Sequence, residues 1–139
     1  MEKIILAGIF IIIGILNSIS QEKHTVTLHF KGMKSDKGSL YIAIYNKEDR
    51  FLKEPLKGSI IKIIDKKARV VLKDITVGTY AVSAFHDVND NKKMDTNFIG
   101  IPKEPIGISN DAKGFMGPPK YKDAKFKVTE NVVLTINIK

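Results

Sequence analysis

The stretch "HTVTLHFK", residues 24–31, decides the fold. Apolar Val26, Leu28 and Phe30 alternate with Thr25, Thr27, His29 and Lys31. Successive side chains of an extended chain leave opposite faces, so a period of two marks a half-buried strand. The same period returns in "SLYIAIY" (39–45), where Leu40, Ile42 and Ile44 share a face, and in "NVVLTINIK" (131–139), where Val132, Leu134, Ile136 and Ile138 do. "SIIKIID", "ARVVLKDI" and "TYAVSAFHD" are short, rich in β-branched or aromatic residues, and bounded by turn residues.

These runs predict seven strands, near 24–31, 39–46, 58–65, 67–73, 78–87, 123–129 and 131–139. Turn chemistry separates them. "KGMKSDKGS" carries two glycines, while "DKK" after Ile64 and "TEN" after Val128 read as tight hairpins. The expectation is an all-β fold, a seven-stranded antiparallel β-sandwich of immunoglobulin-like or transthyretin-like type. A closed barrel is the alternative. The chain has no cysteine, which excludes a disulfide-pinned immunoglobulin domain, zinc–thiolate sites and thiol catalysis.

The chain opens "MEKIILAGIFIIIGILNSISQEK". Lys3 precedes an unbroken run from Ile4 to Leu16, then the small polar Ser18 and Ser20. That layout is a secretory signal peptide over 1–20, with cleavage after Ser20. The run is shorter than the roughly 20 residues a spanning helix needs. The remainder, 21–139, has the length of one β-sandwich domain. The expected location is periplasmic or extracellular, with no transmembrane segment after cleavage.

A net charge of +8 raises the question of nucleic acid. Only Arg50 and Arg69 among 23 basic residues are arginine, and the lysines are scattered. Readers of phosphate and bases lean on arginine's planar fork. The charge therefore reads as a lysine-covered face, with weak attraction to an anionic envelope surface and no nucleic-acid partner.

Between Asp87 and Asp123 the strand pattern fails. This connection, between the fifth and sixth expected strands, holds four glycines and all but one of the prolines. It also holds Phe98, Ile99, Ile101, Ile106, Ile108, Phe115, Met116 and Tyr121. A connection this long is uncommon unless functional or disordered, and disordered segments are poor in such residues. It reads as a long ordered loop packed over the sandwich.

Four blocks within "GTYAVSAFHDVNDNKKMDTNFIGIPKEPIGISNDAKGFMGPPKYKDAKFKV" carry a resemblance: the run through "HDVNDN", "DTNFIGIP", "GISNDA" and "GPP". The chain resembles the domain of unknown function 2141 family, exported bacterial proteins without an established activity. The resemblance spans nearly all of the chain after the apolar segment and implies no catalytic residue. Lys92 stands where the family often has glycine. "DITVGTYAV" also resembles the strand entry of transthyretin-like and carboxypeptidase-regulatory-like modules, which speaks for fold and not function.

Two readings compete for "HDVNDNKKMDTNF" (86–98). Oxygens at alternate positions of a tight loop can converge on Ca²⁺: side chains from Asp87, Asn89 and Asn91, the carbonyl of Lys93, and Asp95. Lys92 at the glycine position and Phe98 in place of a twelfth-position glutamate weaken that match, leaving at best weak affinity. The other reading is an Asx-rich turn bonded to its own backbone. His86 and Asp87 are adjacent, so they point to opposite faces and form no dyad by adjacency; His86 reads as structural, donating to the loop backbone. Ser109 and Asn110 read as a turn cap or as ligand-positioning residues. "GFMGPPKY", with Phe115, Met116 and Tyr121, reads as an apolar clasp closing the loop onto the sheet.

The functional expectation is a non-catalytic binding or structural module of the envelope. Its candidate surface is His86, Phe98, Ser109, Asn110, Phe115 and Tyr121, and its partner an envelope protein or glycan. The alternative is a hydrolase-type enzyme using His86, Asp87 and Asp95 beneath the loop, which requires His86 to face a concave pocket.

Overall fold

A computed structural model describes residues 20–139; the expected signal peptide lies outside the described residues. The fold is all-β, two sheets pressed face to face. Its strands are β1 (Lys23–Lys31), β2 (Ser39–Tyr45), β3 (Lys57–Ile61), β4 (Lys67–Thr76), β5 (Gly78–Asp87), β6 (Ile106–Ile108), β7 (Phe126–Val128) and β8 (Val132–Asn137). One sheet runs β4-β1-β8. The other runs β3-β2-β5-β6, with β7 also on β5.

The alternating residues meet between the sheets. Val26, Leu28 and Phe30 pack with Leu40, Ile42 and Ile44, with Tyr80, Val82 and Ala84, and with Ile136 and Ile138. Burying each large aliphatic or aromatic side chain stabilises the fold by roughly 1.5–3 kcal/mol. A second, smaller cluster covers part of the outer face of the larger sheet: Tyr45, Phe51, Ala81, Ile108 and Ala124, with Tyr121 packed against it.

The connectivity departs from the sequence reading in four ways, each with a local cause. First, β8 runs parallel to β1, so the sandwich is not wholly antiparallel. Second, "TEN" is no hairpin: β7 pairs with β5 and β8 with β1, so this turn carries the chain between sheets. "DKK" does make a tight turn, with Asp65 and Lys66 both at positive φ and Ile64 and Lys67 exchanging backbone bonds. Yet the strands it joins also lie in different sheets. Third, β4 runs on to Thr76. An extra residue near Asp74, at φ 59°, shifts the register so that Ile75 points inward after Leu72.

Fourth, there is an eighth strand, β6. It lies antiparallel on the same edge of β5 as β7: β6 covers Ser83–Phe85 and β7 covers Gly78–Tyr80. The two act as one strand interrupted by residues 109–125. Gly107 is required because a Cβ there would meet Ile138 Cδ1 at 2.6 Å and the Asn137 carbonyl at 2.8 Å. That close approach seals the edge between the sheets, where Ile106 and Lys139 exchange backbone bonds.

Candidate functional site

The long crossover leaves β5 at Asp87, and two side chains there are sealed. His86 is 1% exposed and points toward the core, while Asp87, 0% exposed, points to the outer side and is roofed by the loop. His86 Nε2 donates to the Lys37 carbonyl at 2.6 Å, which fixes the proton on Nε2 and leaves Nδ1 buried without a partner. Its own N–H donates to Pro105. The side chain thus ties down the β1–β2 turn rather than the long loop; only its backbone serves the loop. Gly38 belongs to the same junction: at φ 69° it lies against the Asp87 carbonyl where a Cβ would collide.

From Asp87 the loop closes on its own polar side chains. Asp87 Oδ1 accepts the Asn91 N–H at 3.2 Å and Oδ2 the Lys92 N–H at 2.8 Å. The Oδ1 atoms of Asn89 and Asn91 accept the N–H groups of Asn91 and Lys93. Their amide Nδ2 groups donate to Asp95 at 2.7 Å. Backbone donors on one side and an acceptor-only carboxylate on the other fix both amide orientations. Those bonds, with help from the charges of Lys93 and Lys103, hold the Asp95 carboxyl below its ordinary range. The side-chain oxygens expected to face a cation are thus engaged in closing the turn. Among the described residues, no three His, Asp or Glu side chains are grouped as a metal site would group them. Lys92 adopts φ 66°, the conformation glycine supplies without a Cβ penalty.

Glu104 gives no sign of its place in the sequence. Its Oε2 accepts the Asp95 N–H at 3.2 Å, while Oε1 is buried without a donor. Burial, followed by the close Asp87 carboxyl and then the charge of Asp95, holds its carboxyl above the ordinary range against the opposing pull of the Asp95 N–H. An open cleft of about 510 Å³ lies here, lined by Val88, Asn89, Asp95, Thr96, Lys103, Glu104 and Pro105. Neither His86 nor Asp87 lines it.

Farther out, Asn97 Oδ1 accepts the N–H groups of Ile99 and Ile101 and clamps a tight tip. Phe98 stands on it 99% exposed, beside exposed Ile99 and Ile101.

The interruption between β6 and β7 is held in the same manner. Ser109 is buried; its Oγ accepts the Val82 N–H at 2.9 Å and donates to the Ala124 carbonyl at 2.6 Å. It fills the gap on the β5 edge that a strand would otherwise fill. Asn110 donates to the carbonyls of Asp123 and Lys125, and Asp111 accepts from the backbone and side chain of Asn137. Tyr121 stacks edge-on to Phe51 at 5.7 Å. Phe115 and Met116 do not form the expected clasp: they are 90% and 95% exposed. Tyr121, Ala112 and Ala124 do that work instead, against Phe51 and Ala81. Of the candidate surface residues, Phe98 and Phe115 project to solvent. Asn110 and Tyr121 are tied to the framework, and His86 and Ser109 lie within it.

Fold and site together define a two-sheet β-sandwich whose crossover is locked by polar side chains and carries apolar tips. The chain belongs to the family described as an uncharacterised protein conserved in bacteria, domain of unknown function 2141, which matches residues 28–136. No curated protein and no solved structure gives a match. Among the described residues no helix is long and apolar enough to cross a membrane.

Proposed function

We propose that this chain is an exported, non-catalytic binding module of the bacterial envelope that engages a partner protein through the apolar tips of its crossover. One observation carries the reading. Phe98, Phe115 and Met116 are 90–99% exposed on tips whose bases are hydrogen-bonded in place. Large apolar side chains held outward by an ordered backbone are typical of contact surfaces. The N-terminal apolar segment supports export.

The hydrolase alternative draws less support. It needs His86 and a carboxylate converging on a pocket, and His86 is sealed, donates to a carbonyl and lies outside the cleft of Asp95 and Glu104. The test compares proteins retained from an envelope fraction by the mature domain and by two variants, Phe98→Ser and Phe115→Ser/Met116→Ser. A specific partner lost with either variant, at unchanged melting temperature, supports the reading. Retention of the same proteins by all three forms would refute it.

A further inference from the structure

The outer face of the smaller sheet carries a charge pattern that the tips do not explain. Strand register sets Lys31 directly opposite Lys67, and His29 opposite Arg69 on one side and Thr135 on the other. These residues alternate with the inward-facing Leu28 and Phe30, so they share the outward face. Together with Lys62, and beside the apolar Phe30, Ile64 and Ala68, they line an open cleft of about 710 Å³ in which no carboxylate takes part. Among the described residues the one ion pair is Arg50–Glu54, far along the chain. Asp111, whose charge reaches Lys31, has its oxygens held by Asn137.

Like charges directly opposite one another destabilise a sheet, and here, among the described residues, no carboxylate forms an ion pair with Lys31, Lys67 or Arg69. A cleft lined by one sign of charge focuses its field on a counter-ion. Arg69 supplies a planar fork, Lys31, Lys62 and Lys67 supply point charges, and Thr135 supplies a hydroxyl donor. That is the chemistry that holds a phosphoryl group.

We propose that this face is a binding site for a phosphate-bearing ligand, either a free phosphate compound or a phosphomonoester lipid headgroup. No residue of the crossover contributes to it, so it stands or falls independently of the apolar tips.

The test titrates sodium pyrophosphate into the mature domain at constant ionic strength, followed by calorimetry. Saturable binding is expected, weakened about tenfold in Arg69→Gln and in Lys67→Gln, the loss of one charge-assisted bond. Lys127→Gln, an exposed lysine on β7 of the other sheet, leaves it unchanged. A response no larger than that to sodium chloride, or equal weakening by all three substitutions, overturns the proposal. Vesicles containing phosphatidic acid separate the two sources. Capture that pyrophosphate competes away identifies a headgroup ligand; pyrophosphate binding without capture identifies a soluble one.

Discussion

The sandwich body and the crossover are held by different forces. In the body, Leu28, Phe30, Leu40, Ile44 and Ile136 are almost wholly buried, and the inward faces of two sheets supply the stability. In the crossover, the turns are closed by Asp87, Asn89, Asn91, Asn97, Ser109, Asn110 and Asp111, each bonding backbone. Side-chain-to-backbone bonds define shape without requiring apolar burial. That leaves Phe98, Phe115 and Met116 free to face outward on a fixed framework. A segment whose aromatic residues formed its own core could not present them.

The comparison can be broken from the body first. Phe30→Ala should cost about 3–5 kcal/mol, the usual range for losing a buried phenyl ring, and should unfold body and crossover in one transition, read by denaturant melts. A crossover that loosens alone would contradict the shared framework. Ser109→Ala tests the opposite dependence. It strands the buried Val82 N–H and Ala124 carbonyl, so a loss of about 1–3 kcal/mol is expected. Amide exchange should quicken over 109–125 before it does in β1 or β2.

Glu104 sharpens the comparison through pH. Its carboxyl is held above the ordinary range, chiefly by burial and then by Asp87 and Asp95. The folded state therefore binds more protons than the unfolded one, and this group's contribution to stability falls as pH rises through that window. Glu104→Gln keeps the shape, offers an N–H toward Asp87 and should raise the melting temperature by a few degrees near neutral pH. The advantage should shrink as the wild-type carboxyl protonates in acid. Asp95 behaves in the opposite sense: its contribution is present above the unfolded carboxylate pKa and is lost as pH falls through its lowered folded value.

Lys92→Gly should be a small gain, at most about 1 kcal/mol, because the positive φ no longer carries a side chain. The smallest effect expected is from calcium. A cation would have to turn both Asn89 and Asn91 amides away from Asp95 and break the turn they close. Millimolar Ca²⁺ should therefore leave the melting temperature unchanged; a rise abolished by Asp95→Asn would restore the cation-binding reading of this loop.

The body is the legible part. Alternation in β1, β2 and β8 names the residues these strands send between the sheets, because that face of each is buried and the other is more open. The pattern fails where something other than burial on one face sets the structure. Near Asp74 a bulge shifts the alternation, hiding the end of β4. Pro105 and Gly107 mask β6, whose three residues are a strand only because β5 offers an edge. "TEN" looks like a hairpin, since length and composition say nothing about which sheet each flank joins. In the crossover, the Asx spacing of 87–95 is visible in the sequence, but the Lys37 carbonyl that receives the His86 ring is not, because it arrives from a distant turn. Glu104 is hidden, since it meets Asp95 only after the chain reverses through the Asn97 tip. So is the basic face, which exists only through the register of Lys31 against Lys67 and His29 against Arg69.

Backbone ¹⁵N relaxation across residues 88–125 tests the central claim most directly. Locking by side-chain-to-backbone bonds predicts order parameters at Phe98 and Phe115 close to those of the strands, about 0.8 or above. Values below about 0.6 at both tips, with rigid strands beneath, would contradict it.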